Sequence, residues 1–245
     1  MPPPLILIII TRAARLPEPA GFGDADSATI RAYDAQSLGG VTMTTVIFNG
    51  QPVRPGKVVC VGKNYAAHIE EMASVPAENM VVFMKPATSI GTTLHATLDE
   101  ALHYEGEICL LTKDEAVAGV GFGLDLTKRE TQSKLKFAGL PWERSKAFTG
   151  SALFSEFVTA PADLTRLGVE LRVDDELRQK GGVNLMLYPP DVILQELNQF
   201  LVLEDYDIIM TGTPAGVGAG QIGEHFSGHV FDGDNELVSG LWVAR

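Results

Sequence analysis

Two carboxylates one residue apart in His103-Tyr104-Glu105-Gly106-Glu107, and a third in Gly121-Phe122-Gly123-Leu124-Asp125, are the side chains here best suited to hold a metal ion. If Leu102 to Leu111 runs as one strand, side chains two apart share a face, so Glu105 and Glu107 stand side by side with only Gly106 between them. Val117 to Asp125 reads as a second strand. Gly119, Gly121 and Gly123 fall on the face that carries Asp125 and leave room beside it for something bulky. Three carboxylates, with no cysteine or obligatory histidine among them, form a hard donor set that calls for Mg²⁺ or Mn²⁺, water or substrate completing the shell. An isolated Glu-x-Glu is more often a solvated strand face, so the case rests on its company.

His68 and Glu71, in Gly62-Lys63-Asn64-Tyr65-Ala66-Ala67-His68-Ile69-Glu70-Glu71, are three apart. On a helix they share a face, and a carboxylate at 71 can hold one imidazole nitrogen while the other acts as a base. Arg129 and Gln132 are likewise three apart, on a helix expected to start just after Asp125, where the positive dipole end and a forked guanidinium favour an anion. Lys146, in Ser145-Lys146-Ala147-Phe148, offers a further positive charge. Each of these alone is commonly a surface residue.

Thr211 to Gly218 makes a tight turn off the apolar strand Ile208 to Met210 and lacks the Gly-Lys-Ser/Thr end of a nucleotide phosphate loop. Gly218, Gly220 and Gly223 fit Gly-x-Gly-x-x-Gly, but too little chain follows for a βαβ unit, which excludes a Rossmann reading. His225 and His229 are spaced for a helical metal pair, yet Ser227-Gly228 between them disfavours helix, and they read as structural.

The elements that must position these groups are mainly short strands. Thr45 to Phe48 alternates, Asn49-Gly50 is a hairpin dipeptide, and Lys57 to Val61 and Val81 to Met84 are further strand candidates. Tyr65 to Ala73 reads as a short helix before Pro76. Thr127-Lys128-Arg129-Glu130 is a capping box opening a helix towards Phe137. A helix over Val192 to Leu201 places Ile193, Leu197 and Phe200 on one stripe. Strands are expected at Val169 to Val173, Asp207 to Met210, Gly228 to Phe231 and Leu237 to Val243. Strands outnumber helices without regular alternation, which makes the fold class α+β, mainly β.

The 245 residues suffice for one sizeable core. A formal charge of −12 and the absence of any basic run argue against a nucleic-acid partner or an anionic membrane surface, leaving small molecules or other proteins. Cys60 and Cys109 sit in apolar runs, as buried thiols of a reducing, cytoplasmic compartment do, and no disulfide is expected. Leu5 to Ile10 is too short to cross a bilayer and follows prolines rather than basic residues, so neither a membrane span nor a secretory signal is expected. Residues 1–42, rich in Ala, Pro, Gly and Asp, read as a poorly packed extension or as sequence upstream of a true start at Met43. Residues 43–245 read as a single catalytic domain.

Taken in order, the motifs resemble the fumarylacetoacetate hydrolase superfamily. The matching text is Val61 to His68, His103 to Glu107, Leu124-Asp125-Leu126-Thr127-Lys128-Arg129, Gly139-Leu140-Pro141-Trp142, Ser145 to Thr149 and Thr211 to Gly218. The similarity spans residues 46–245, and Gly-Leu-Pro-Trp points to the acylpyruvase and oxaloacetate decarboxylase branch. The resemblance implies a mixed β-roll, a homodimer, and Mg²⁺ or Mn²⁺ on Glu105, Glu107 and Asp125. It also implies His68 as general base with Glu71 as its partner, Lys146 in catalysis, and Lys63, Arg129, Gln132 and Thr213 as substrate contacts. Lys63 stands where the family commonly has Arg, Tyr206 replaces its usual glycine, and residues 1–42 match nothing in it.

The reaction so implied is hydrolysis of a carbon-carbon bond in an acylpyruvate such as acetylpyruvate or fumarylpyruvate, through a pyruvate enolate stabilised by the metal. Oxaloacetate decarboxylation and isomerisation of a 2-hydroxymuconate-type diacid draw on the same enolate chemistry. A reading of different class is a non-catalytic β-rich binding module with a structural ion. The division of the chain is testable: a protein begun at Met43 is expected to give a cooperative melt and a β-rich circular dichroism spectrum, and failure to fold would refute the boundary.

Overall fold

Alternating apolar residues and turn dipeptides translate into short strands throughout residues 44–72 and 78–245, which a computed structural model describes. All fall within the unit Thr42–Arg245. The expectations for residues 1–42, and the end of the first helix at Ala73, lie outside the described residues.

The first strands are β1 (Val46–Phe48), β2 (Gln51–Val53), β3 (Lys57–Gly62), β4 (Val81–Pro86), β5 (Leu102–Tyr104), β6 (Gly106–Lys113), β7 (Ala116–Asp125) and β8 (Thr127–Lys128). Then come β9 (Ala152–Phe154), β10 (Val158–Thr159), β11 (Leu167–Val173), β12 (Glu176–Gly182), β13 (Ile208–Met210), β14 (Gly218–Ala219), β15 (His225–Asp232) and β16 (Asn235–Val243). The helices are α1 (Ala66–Glu71), α2 (Arg129–Phe137), α3 (Glu143–Lys146) and α4 (Pro190–Leu197). Among the described residues none is long and apolar enough to cross a membrane.

Asn49 and Gly50, with φ of 49° and 72°, close the β1–β2 hairpin in the left-handed conformation that a two-residue turn needs. A seven-stranded sheet runs β10-β7-β6-β13-β3-β4, with β9 also paired to β7. It is mixed, because β13 lies parallel to β3 and antiparallel to β6. A four-stranded antiparallel sheet, β12-β11-β15-β16, faces it, and a three-stranded one joins β14, β5 and β8. The expected class, α+β and mainly β with a curled mixed sheet, is the one observed.

Period-2 alternation assigns each side of the large sheet its neighbour. Val59, Ile108, Leu110, Phe122 and Leu124 pack against Leu167, Val169 and Leu171 of β11 and Phe226 and Val230 of β15. Val58, Cys60, Cys109, Leu111 and Met210 point the other way, beneath Val46 and Phe157. Both cysteines are buried and free.

Several local expectations need correction. Leu102 to Leu111 is two strands, broken at Glu105 where the chain leaves the three-stranded sheet for the large one. Gly119, Gly121 and Gly123 do make room, but the space is taken by the rings of Phe48, Phe157 and Phe154 rather than by a ligand. Helix α2 begins without a side-chain cap, its N-cap being Lys128, and Thr127 instead belongs to β8. Helix α4 buries Ile193 and Leu197 but ends there, leaving Phe200 65% exposed. β9, β10 and β14 are too short to show a period, and β12 is too polar to be recognised as a strand. Tyr206, where the family's usual residue is glycine, adopts a left-handed φ of +68°, a conformation that favours glycine, and its N–H donates 2.6 Å to Thr112 O.

Between the two large sheets, Gly228 of β15 lies against Phe122 of β7, whose ring any Cβ at 228 would enter. Gly228→Ala is therefore expected to cost about 1–3 kcal/mol by overpacking. Urea unfolding should show a lowered midpoint that Phe122→Leu partly restores; an unchanged midpoint would refute the packing argument.

Candidate active site

The break at Glu105 turns two residues of an ordinary strand into two arms of one pocket. Gly106 between them is clamped on both sides: its N–H donates to Gln179 Oε1 (2.8 Å) and its carbonyl accepts from Thr213 Oγ1 (2.9 Å). A Cβ there would press within 3.1 Å of both Gln179 and Phe122, so a glycine suits the position. The N–H of Asp125, at the end of β7, donates to Glu105 O at 2.9 Å, which draws the third carboxylate alongside. One oxygen of each of Glu105, Glu107 and Asp125 lies within 4.8 Å of the others. Their exposures are 6%, 2% and 1%.

Three carboxylates in a dry pocket repel one another, and buried cations surround them. Lys146 Nζ stands 2.7 Å from both Glu105 Oε2 and Asp125 Oδ2 and donates to Thr127 Oγ1 at 2.6 Å. Thr127, expected as a helix cap, thus serves the site. Arg129 pairs with the other oxygen of Glu105 and donates to Gln132 Oε1 at 2.8 Å. Lys85, fully buried, lies 2.8 Å from Asp125 Oδ1 and donates to Ser151 O and Oγ at 3.0 Å and to Lys146 O.

Burial would raise the Glu105 carboxyl, but Lys146 and Arg129 outweigh it and hold it well below the usual carboxylate range. For Lys146 burial opposes the charge, yet Asp125 and Glu105 raise its pKa above that of an ordinary lysine. Glu107 differs. It accepts from Gly212 N at 2.7 Å but has no ion pair among the described residues, and burial, followed by Asp125 and Glu105, pushes its carboxyl well up. Asp125 Oδ1, moreover, is buried without a geometrically sound hydrogen bond, Lys85 approaching it off the bonding direction. An under-compensated carboxyl, an oxygen with an open lone pair and an all-oxygen donor set fit a hard divalent cation.

His68 is buried in the same cleft, its Nδ1 3.4 Å from Glu71 Oε2. Glu71 Oε1 accepts from Gly216 N at 2.9 Å, so the 211–218 turn that reaches Glu107 also steadies the partner of the imidazole. The turn is fixed from below by Asn64 Nδ2, which donates to Thr211 O (2.8 Å) and Tyr188 O (2.9 Å). Glycine is demanded at 212, where φ is +98° and a Cβ would sit 2.8 Å from that of Asn64.

The cleft is lined by Lys63, His68, Glu105, Glu107, Asp125, Arg129, Gln132, Lys146 and Thr213, which gathers every expected site residue except Glu71, one step behind His68. Its free space is small, about 40 Å³. Sequence reasoning missed Lys85, Phe83 and Lys136. Nothing marks Lys85 or Phe83 in the sequence, but Lys136 lies seven residues after Arg129 on the same helical stripe, which was a readable signal. Desolvation of its ammonium, then the charge of Arg129, lowers Lys136 to about 8 even though the residue as a whole is exposed. His225 and His229 stand apart on β15, beside Asp174 and Glu236.

A family model described as fumarylacetoacetate (FAA) hydrolase C-terminal matches residues 57–239. Oxaloacetate tautomerase YcgM of Escherichia coli is 38% identical over 195 residues, 71% of this chain and 89% of its own. The mitochondrial oxaloacetate tautomerase FAHD1 of Homo sapiens is 37% identical over 178 residues, 66% of this chain and 80% of its own. Among solved structures, fumarylpyruvate hydrolase from Pseudomonas aeruginosa in complex with Mn²⁺ and pyruvate superposes with a TM-score of 0.73 at 32% identity, covering 82% of this chain and 96% of that one.

The donor set makes a direct prediction. Mn²⁺ or Mg²⁺ should raise the melting temperature of the wild type, and Glu107→Gln, which keeps the shape but not the charge, should abolish most of that shift. Equal shifts in both proteins would remove Glu107 from the set.

Proposed function

This chain belongs to the fumarylacetoacetate hydrolase family, and on that premise we propose that it is a divalent-metal-dependent enzyme that interconverts the keto and enol forms of oxaloacetate. The observation that carries the reading is that a single imidazole, oriented by a carboxylate, opens onto the same small cleft as the buried carboxylate trio. The names of the curated relatives support it, since those from Escherichia coli, Saccharomyces cerevisiae and Homo sapiens are all oxaloacetate tautomerases.

A cation held by Glu105, Glu107 and Asp125 would supply Lewis-acid stabilisation to negative charge developing on the 2-oxo group. The chain's own residues do the rest. Arg129 Nε is buried with no hydrogen-bond partner among the described residues, which leaves a donor for the substrate carboxylate. Gln132 and Thr213 line the same cleft and fix the orientation. Glu71 faces His68 Nδ1, so Nε2 is the nitrogen left to work as a base. It takes the proton from C3 as the C3–H electron pair forms the C2–C3 double bond and the C2–O π pair moves to oxygen, and the imidazolium so formed gives that proton to the enolate oxygen, leaving the enol and neutral His68. The reverse steps return the proton to C3.

Carbon-carbon hydrolysis of an acylpyruvate is the second reading, favoured by the same His68 acting on water and by the likeness to the Pseudomonas aeruginosa fumarylpyruvate hydrolase. Tautomerisation is the first reading because it needs no water nucleophile, only the oriented base and the carboxylate trio that the cleft brings together.

The test follows enol absorbance of oxaloacetate with Mg²⁺ or Mn²⁺, alongside acetylpyruvate and fumarylpyruvate. Enol-keto exchange well above the solvent rate is expected, EDTA should abolish it while the circular dichroism spectrum persists, and His68→Ala should slow it by about 10² to 10⁴-fold. No acceleration by the metal-loaded wild type would overturn the tautomerase reading; cleavage of the acylpyruvates alone would establish the second. A fold that melts on chelation, with no turnover of any of the three, would leave a structural ion in a binding module.

A further inference from the structure

Helix α2 turns Arg129, Gln132 and Lys136, at i, i+3 and i+7, towards one cleft. The first two are engaged at its inner end, Arg129 with Glu105 and Gln132 with Arg129. Lys146 and Lys85 are likewise committed to carboxylates of the protein itself. Lys136 is not. No ion pair joins it to a carboxylate among the described residues, and its ammonium stands 4.8 Å over the ring of Trp142. That ring lies 5.7 Å from Phe83, whose ring in turn carries Lys146 at 5.3 Å. An aromatic wall thus runs from the carboxylate trio outward and ends under a lysine. The charge there is disfavoured by desolvation and by Arg129, with Glu105 the attractive neighbour further in. A cation held against repulsion by a neutral ring, at the open end of a cleft, is placed for an incoming anion.

We infer that Lys136 receives the distal carboxylate of a 2-oxo dicarboxylate whose 2-oxo acid end lies at Arg129 and the carboxylate trio, and so sets the preference for dicarboxylic over monocarboxylic substrates. The inference rests on the proposed function and names the group that reads the far end of its substrate. Seven residues of helix set the Arg129 and Lys136 backbones about 10 Å apart, and the flexible lysine stem adapts the point charge to the substrate's length.

The test is binding, so that it does not depend on turnover. With Mg²⁺ present, titration calorimetry compares oxaloacetate with pyruvate for wild type, Lys136→Met and Lys136→Arg. Wild type should bind oxaloacetate at least about tenfold more tightly than pyruvate. Lys136→Met should erase that preference by weakening oxaloacetate alone, and Lys136→Arg should keep most of it. A wild type without preference, or a Lys136→Met protein that retains it, overturns the inference. A wild type that shows the preference but does not tautomerise oxaloacetate defeats the proposed function and leaves the role of Lys136 standing.

Discussion

Three carboxylates in water-poor surroundings, each within 4.8 Å of the others, are the demand around which this molecule is arranged. Burying a single unpaired carboxylate is costly, and burying three side by side is worse, because each also raises the price of ionising the next. The surrounding residues meet that demand from four directions. Lys85 comes from β4, Lys146 from α3, Arg129 from α2, and a backbone N–H from the turn after β13. Compensation is uneven: Glu105 receives two cations and Glu107 none, and that asymmetry marks the pocket as unfinished without a further positive charge. Glu105 and Asp125 each have two cationic neighbours and share Lys146, so losing Lys146 weakens both at once, and loss of a partner from a buried ion pair costs more than the pair itself contributes.

How much of this was legible depends on the range over which the physics acts. Strand periodicity and turn chemistry are local, so the β1–β2 hairpin, β3, β7 and β11 were readable, as was the identity of the three acidic residues. Where tertiary contacts decide, the reading failed. Nothing within Leu102 to Leu111 says that β5 and β6 belong to different sheets; the break at Glu105 comes from β8 and β14 on one side and β7 and β13 on the other. Thr127-x-x-Glu130 has the letters of a capping box, but a buried lysine claims the hydroxyl. The glycine row in β7 was correctly read as space, yet space for phenylalanine rings from Phe48, Phe154 and Phe157. Lys85 was invisible because a lone lysine before a proline carries no pattern. The role of β12 was hidden by its polar composition, although Gln179 within it holds both Gly106 and Thr213.

That last pair shows how far the site extends into the second sheet. Gln179 Oε1 accepts from Gly106 N, and its Nε2 donates to Thr213 Oγ1 and Pro214 O, each at 2.8 Å. One amide side chain therefore fixes the link between the two glutamates and the turn that faces them. Its burial among fully paired groups makes it a strut rather than a surface polar residue, and polar networks of this kind hold one arrangement because any other leaves a buried group unsatisfied.

The 211–218 turn carries the argument to its end. Strand β13 delivers it between β3 and β6, so the turn emerges beside both α1, which follows β3, and Glu107, which lies in β6. Gly212 N reaches Glu107 and Gly216 N reaches Glu71, so two amides of one rigid loop set the positions of a trio member and of the carboxylate behind His68. Both glycines have positive φ, +98° and +102°, and both back onto neighbouring chain, Gly212 onto Asn64 and Gly216 onto Arg178, so the loop has little freedom to drift. Proton transfer tolerates misplacement of the base by only a fraction of an ångström. A base on one helix and an acidic trio spread over two strands would not keep that tolerance independently. Referred to a common backbone segment, they move together or not at all.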